Sequence, residues 1–209
     1  MKRSSPASAV ASAFLLAVPA VQAALVEDAK ASLGLRNFYI NQDNRSGAAA
    51  PSKAEEWGQG FLLDFNSGYT AGPVGLGFDT LGQFGLRLDS GGRVDKPGRT
   101  RNPGIVFPLE DGSAVSNFGR VDFTGKARVA QTELRVGALL PRLPILTPND
   151  GRLLPQTFRG AQLSSTDISG LTLHLGQIDK ASGRASSDYE ELRIAGGTNR
   201  VDQFRFAGG

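Results

Sequence analysis

The 209-residue chain contains no cysteine and a single histidine. Disulfide frameworks, iron–sulfur clusters, thiolate nucleophiles and ordinary zinc sites each need several such residues, so these chemistries are excluded and no cofactor is expected. Long apolar runs are missing as well. Beyond the N-terminal segment no stretch approaches the roughly 20 predominantly apolar residues of a membrane-spanning helix. Apolar residues make up 40% of the chain, slightly under the usual ~45–50%. Glycine, by contrast, is abundant at 27 residues, which points to turns and sheet rather than helices.

The first 23 residues read as a leader and not as part of the fold. Lys2 and Arg3 form a positive start, Ala9 to Ala20 is mostly small and apolar, and Val21-Gln22-Ala23 offers small residues at the −3 and −1 positions of a cleavage site. Cleavage is expected after Ala23, leaving 24–209 as the mature chain. Loss of Lys2 and Arg3 lowers the formal net charge from the +3 of the whole chain to near neutrality. A nucleic-acid partner therefore has no electrostatic support.

Period-two alternation recurs along the mature chain, the pattern of strands with two different faces. From Val74 to Asp89 one face carries Val74, Leu76, Phe78, Phe84, Leu86 and Leu88, and the other Gly75, Gly77, Asp79, Gln83, Gly85 and Arg87. This run is far longer than the usual strand of about 5–6 residues. From Arg120 to Ala130, Val121, Phe123 and Val129 alternate with Arg120, Asp122, Thr124, Lys126 and Arg128. Trp57–Phe65, Leu134–Ala138 and Leu171–Leu175 repeat the pattern, and Ser32–Asn41, Gly160–Thr166, Tyr189–Ala195 and Val201–Ala207 are weaker members. About nine strands are predicted.

The lengths of the connections alternate too. Long segments at 42–55, 90–117 and 140–157 are interleaved with short turns at 67–73, 131–132 and 167–170. Long and short in turn is the habit of a transmembrane β-barrel, an antiparallel meander with extended loops on the outer side and tight turns on the periplasmic side. The alternative architecture is a secreted soluble β-sandwich or β-propeller.

The segment 140–157 holds Pro141, Pro144, Pro148 and Pro155, which cannot donate to a sheet ladder. Its Leu143, Ile145, Leu146, Leu153 and Leu154 make it too apolar for a freely solvated loop. The natural place for it is the inner wall, where a folded-in loop narrows the channel. Asn149, Asp150 and Gly151, with Arg152 just after, are then expected near the narrowest part; a loop tip packed on the rim is the alternative.

In order, Leu35-Arg36-Asn37-Phe38-Tyr39, Glu56-Trp57-Gly58-Gln59-Gly60-Phe61, Ser67-Gly68-Tyr69-Thr70 and Val74-Gly75-Leu76-Gly77-Phe78-Asp79 resemble the N-terminal half of the OprD family of outer-membrane porins. Lys126-Ala127-Arg128 and Thr132-Glu133-Leu134-Arg135-Val136-Gly137 continue the likeness. Asn149-Asp150-Gly151-Arg152-Leu153-Leu154-Pro155-Gln156-Thr157-Phe158 is similar to that family's constriction loop, and Ser186-Ser187-Asp188 and Phe206-Ala207-Gly208-Gly209 carry the match to the last residue. The resemblance implies a monomeric 18-stranded barrel in the outer membrane of a Gram-negative bacterium, inserted there by the outer-membrane assembly machinery. It also implies passage of small carboxylate-bearing solutes such as amino acids, and a row of basic side chains along the pore wall.

Alternation supplies candidates for that row on its own. Arg36, Arg87, Arg120, Lys126, Arg128 and Arg135 all fall on the face turned from lipid, where several weak contacts could hand a carboxylate along. Asp64, Asp79, Asp122 and Glu133 share that face and could hold an amino group. Nine strands are half of the family's complement, so the chain is expected to be the N-terminal half of a longer barrel, and prone to aggregate by itself because open edges in lipid leave unpaired backbone groups. Two other functions stay open. One is a secreted binding or adhesion protein without transport. The other is an outer-membrane hydrolase using Asp89-Ser90-Gly91-Gly92 with His174 as its base, although Leu88 stands where that motif has glycine.

Overall fold

The structure is a computed structural model that describes residues 25–43, 53–90, 93–96, 99–101, 104–194 and 199–209. The expected leader and Gly91-Gly92 lie outside the described residues. Apart from one helical turn at 25–27, the described chain is strand and loop. In chain order the strands are β1 (Lys30–Asp43), β2 (Lys53–Asn66), β3 (Gly75–Asp89), β4 (Arg93–Lys96), β5 (Arg99–Arg101), β6 (Leu109–Glu110), β7 (Ser113–Ala114), β8 (Asn117–Val129), β9 (Thr132–Leu139), β10 (Thr157–Ser165), β11 (Leu173–Ser182), β12 (Glu190–Arg193), β13 (Arg200–Val201) and β14 (Phe204–Gly208). One antiparallel sheet runs β1-β2-β3-β8-β9-β10-β11-β12-β13. The small hairpins β4-β5 and β6-β7 lie within the second long connection, and Thr157, predicted as the end of the third, opens β10 instead.

Alternation fixes the register because a one-residue slip would turn every side chain to the wrong face. The β1–β2 ladder runs without interruption from Lys30↔Asn66 to Asp43↔Lys53. On β8, Val121 and Phe123 are 63% and 65% exposed while the alternate residues Asp122 and Thr124 are each 5% exposed. Leu33, Leu63, Leu76, Phe84, Val136 and Leu175 continue the outer apolar face across five further strands. In a water-soluble protein such a surface would be an aggregation site; as the lipid-facing band of a barrel it is required.

The last two predicted strands have counterparts, but they do not lie side by side. β12 pairs with the upper part of β11 through Lys180↔Glu191 and Ala181↔Glu190. β14 pairs with the lower part, from Ile178↔Phe204 to His174↔Gly208. The two are collinear pieces of one strand position, separated by an excursion that includes the β12–β13 pairing at Leu192↔Val201. Period-two patterning reports which face a residue takes, not which neighbour it pairs with.

The core lies on the inner side of the sheet, under two of the long connections. Val106, Phe107 and Ala114 of the second join Leu153 and Leu154 of the third and Phe118 of β8 in one cluster, with Phe38, Ile40 and Leu62 packed against it from the wall. Glycine on the inner face makes room. A Cβ on Gly58 would stand 2.5 Å from the Phe107 ring and 3.0 Å from Leu153, and one on Gly85 would stand 2.6 Å from Phe118. A second cluster seats Leu143 on Leu139, Phe158, Ile178 and Phe206.

Candidate functional site

The inner face of the wall carries charge from the short-turn end upward. There, Lys126 of β8 lies 2.6 Å from Asp79 of β3 and donates to the Ser67 carbonyl at 2.8 Å. Tyr69, in the β2–β3 turn, is stacked by Arg128 at 4.1 Å and Lys126 at 4.8 Å from the ring centre, and donates to Glu133. Burial, followed by that bond to a carboxylate, raises the Tyr69 pKa above its ordinary value and keeps the phenol protonated. Arg135 pairs with Glu133 and reaches Asp79 at 3.7 Å.

Arg120, at mid-wall, has no donor to spare. Its Nε reaches Asp122 at 2.8 Å, Nη1 donates to Ser182 Oγ at 2.7 Å and to the Ser186 carbonyl at 2.9 Å, and Nη2 donates to Gln83 at 3.2 Å and Thr157 Oγ1 at 2.5 Å. Five donors are the full complement of a guanidinium. Arg87 is committed as well, through a bond to the Ala114 carbonyl that ties β3 to the second long connection. Of the ten predicted wall residues, then, Arg87, Arg120 and Asp122 serve the scaffold, Arg36 ties down a loop, Lys126, Arg128, Arg135, Asp79 and Glu133 form one cluster at the short-turn end, and Asp64 accepts from Asn66 beside it.

The third long connection returns along the inner face. Its tip is shaped by Asn149, whose carbonyl accepts from the Gln156 N–H at 2.9 Å and whose Oδ1 accepts from the Gly151 N–H at 3.3 Å. Arg36 of β1 holds this tip with Nη1 bonds of 2.6 Å to Asp150 Oδ1 and 2.7 Å to the Arg152 carbonyl. Asn149, Asp150 and Arg152 are thereby kept against β1 of the wall.

Three further residues complete the site. Arg184, after β11, stands close enough to the tip that its Nη1 would be 3.6 Å from a Cβ on Gly151. Burial first, and then the Arg184 charge, lower the pKa of Arg152. Arg142 borders two adjoining cavities of about 400 and 830 Å³, which also share Asp64, Leu81 and Leu140. Glu56 of β2 is buried and accepts the N–H groups of Ile105 and Val106 at 2.8 and 2.7 Å. Arg142 and Arg184 lie in loops, where period two is silent; Glu56 could have been found, since it shares the inward parity of Gly58 and Gly60.

Residues 23–209 match the family described as "outer membrane porin, OprD family". The chain belongs to this family. It is 44% identical over 195 residues to the porin-like protein GalP of Pseudomonas putida, a match covering 93% of this chain and 46% of GalP. The crystal structure of Pseudomonas aeruginosa OccK9 (OpdG) is 48% identical with a TM-score of 0.79, covering 88% of this chain and 46% of that one. That of Pseudomonas aeruginosa OpdK with vanillate is 42% identical with a TM-score of 0.76, covering 88% and 45%. The chain thus spans less than half the length of these relatives. Members of the family are outer-membrane porins, channels rather than enzymes. His174, the only possible base of a hydrolase, has its Nδ1 3.0 Å from Ser164 Oγ on the neighbouring strand.

Proposed function

We propose that this chain supplies a wall and the constriction of an outer-membrane channel for small carboxylate-bearing solutes. The observation that carries the proposal is the Arg152–Arg184 pair. Arg184 reaches the loop tip at Gly151, the residue before Arg152, and the two guanidinium charges repel each other, a contribution second to burial in lowering the Arg152 pKa. An anion with two oxygens relieves that repulsion and accepts from both. Arg142, bordering both cavities, offers a further stop, and Lys126, Arg128 and Arg135 attract the anion onward at the short-turn end. Weak, repeated contacts suit permeation better than one tight site, because the solute must also leave.

Amino acids belong to the same proposal through the carboxylates. Asp64 borders both cavities beside Arg142, with Asp79 and Glu133 lining the smaller one. An ammonium could rest there while the carboxylate stays on the arginines. The vanillate held by OpdK is itself a carboxylate, which supports the class and not the particular solute.

The test is electrical. With this chain carried in a full-length barrel in planar bilayers, a potassium gluconate gradient reads the permeability of a carboxylate against that of K⁺. Replacing Arg152 and Arg184 together by alanine should lower that ratio about tenfold, the scale of one charge-assisted hydrogen bond. A wild-type channel that excludes gluconate in favour of K⁺, or one whose ratio the double substitution leaves unchanged, would overturn the proposal.

A further inference from the structure

Glu56 points inward from β2 at a place where its neighbours on the same face, Gly58 and Gly60, carry no side chain at all. It is completely buried. One oxygen, Oε2, accepts the N–H groups of Ile105 and Val106 at 2.8 and 2.7 Å. The other, Oε1, is buried without a hydrogen-bond partner. A carboxylate with half its acceptor capacity unused is an expensive way to fasten a loop. An amide or hydroxyl would do that alone.

The same peptide segment has a second partner. The Ile105 carbonyl accepts from Arg152 Nη1 at 2.5 Å. The backbone at 104–106 is therefore gripped on both sides, its N–H groups by the carboxylate on the wall and its carbonyl by the guanidinium of the constriction. Gly104, at φ 67°, permits the reversal that brings this stretch into line. Val106 and Phe107 then fasten it by packing on Leu153 and Leu154, the residues that follow Arg152.

We infer that Glu56 is a positioning residue for Arg152, acting through the 104–106 peptide, and that this stretch of the second long connection is a fixed part of the constriction. The inference rests on the carboxylate-channel reading above. Glu56 orients the peptide so that its carbonyl engages one N–H of Arg152 and leaves the rest of the guanidinium for the solute. Selectivity then depends on a residue that no solute touches.

Three variants test this in the full-length barrel, with gluconate-to-K⁺ permeability as the readout. Glu56→Ala removes the acceptor and should lower the ratio about fivefold, the scale of one ordinary hydrogen bond. Glu56→Asp keeps the charge but withdraws it by one methylene, so a similar loss is expected even if the alanine variant fails to insert. Glu56→Gln keeps an oxygen in place and should restore most of the ratio. On an Arg152→Ala background, Glu56→Asp should change nothing further. An unaltered ratio in Glu56→Asp, a loss in Glu56→Gln as large as in Glu56→Asp, or an undiminished effect without Arg152 would each overturn the inference. A wild-type channel indifferent to gluconate would instead overturn the reading on which it rests, so the two failures are distinguishable.

Discussion

The basic residues on the inner face divide by what their donors are doing. Arg120 spends all five on Asp122, Ser182, Ser186, Gln83 and Thr157, so it ties its own strand to three others and a loop and has nothing to offer a passing solute. Its loss would leave Asp122 buried without a counter-ion. Arg120→Ala should destabilise the folded barrel by about 3–5 kcal/mol, the scale for breaking a buried pair, as measured by the denaturant midpoint in lipid vesicles. Arg152 gives one Nη1 bond to the Ile105 carbonyl, and in the proposal above the rest of its guanidinium serves an added anion. Part of this division was visible in the sequence. Arg120 with Asp122, and Arg135 with Glu133, stand two apart on one face of a strand, and opposite charges at that spacing pair before they serve anything else. The partners contributed by Ser182, Ser186 and Thr157 come from distant segments, and no local pattern announces them.

At the scale of elements, the strands and the meander that pairs each with the next were legible as far as β11, and the pairing beyond it was not. The chemical contrast between a lipid side and a water side imposes period two on every strand, so β1, β2, β3 and β8 could be placed from residue types alone. β12 and β14 share one edge of β11 because a loop interrupts the strand between them, and the alternation on either side contains no trace of that. The inward return of 140–156 could be anticipated, since its leucines need cover and its prolines exclude a central strand. Its seat could not. Leu153 rests where Gly60 presents no side chain, and a Cβ there would meet the Leu153 carbonyl oxygen at 3.0 Å. Gly60→Val should lift this part of the loop from the wall, costing about 1–3 kcal/mol by overpacking. The measurable result is a changed single-channel conductance with the barrel still inserted.

For the whole molecule, the two faces of the sheet obey different rules. The outer face meets hydrocarbon, where a charge has no partner, and the inner face meets water and other charges. Phe123→Arg on the outer face should therefore cost about 2–4 kcal/mol if the residue lies near the bilayer midplane. Gln162→Arg, on the inner face beside the smaller cavity, should be close to neutral for stability and alter ion selectivity instead. Equal penalties in vesicle unfolding experiments would contradict the assignment of the faces.

The bond from Arg36 to Asp150 joins residues 114 positions apart. Contacts across such a separation form late, because the chain entropy lost in closing so large a loop must be met before they return anything. β1 must already be in the sheet, and the hairpins through β10 behind it, before this tie can form. The wall is thus laid down first and the loop tip fastened to it afterwards, so the tip is the last part of the inner face to take its shape.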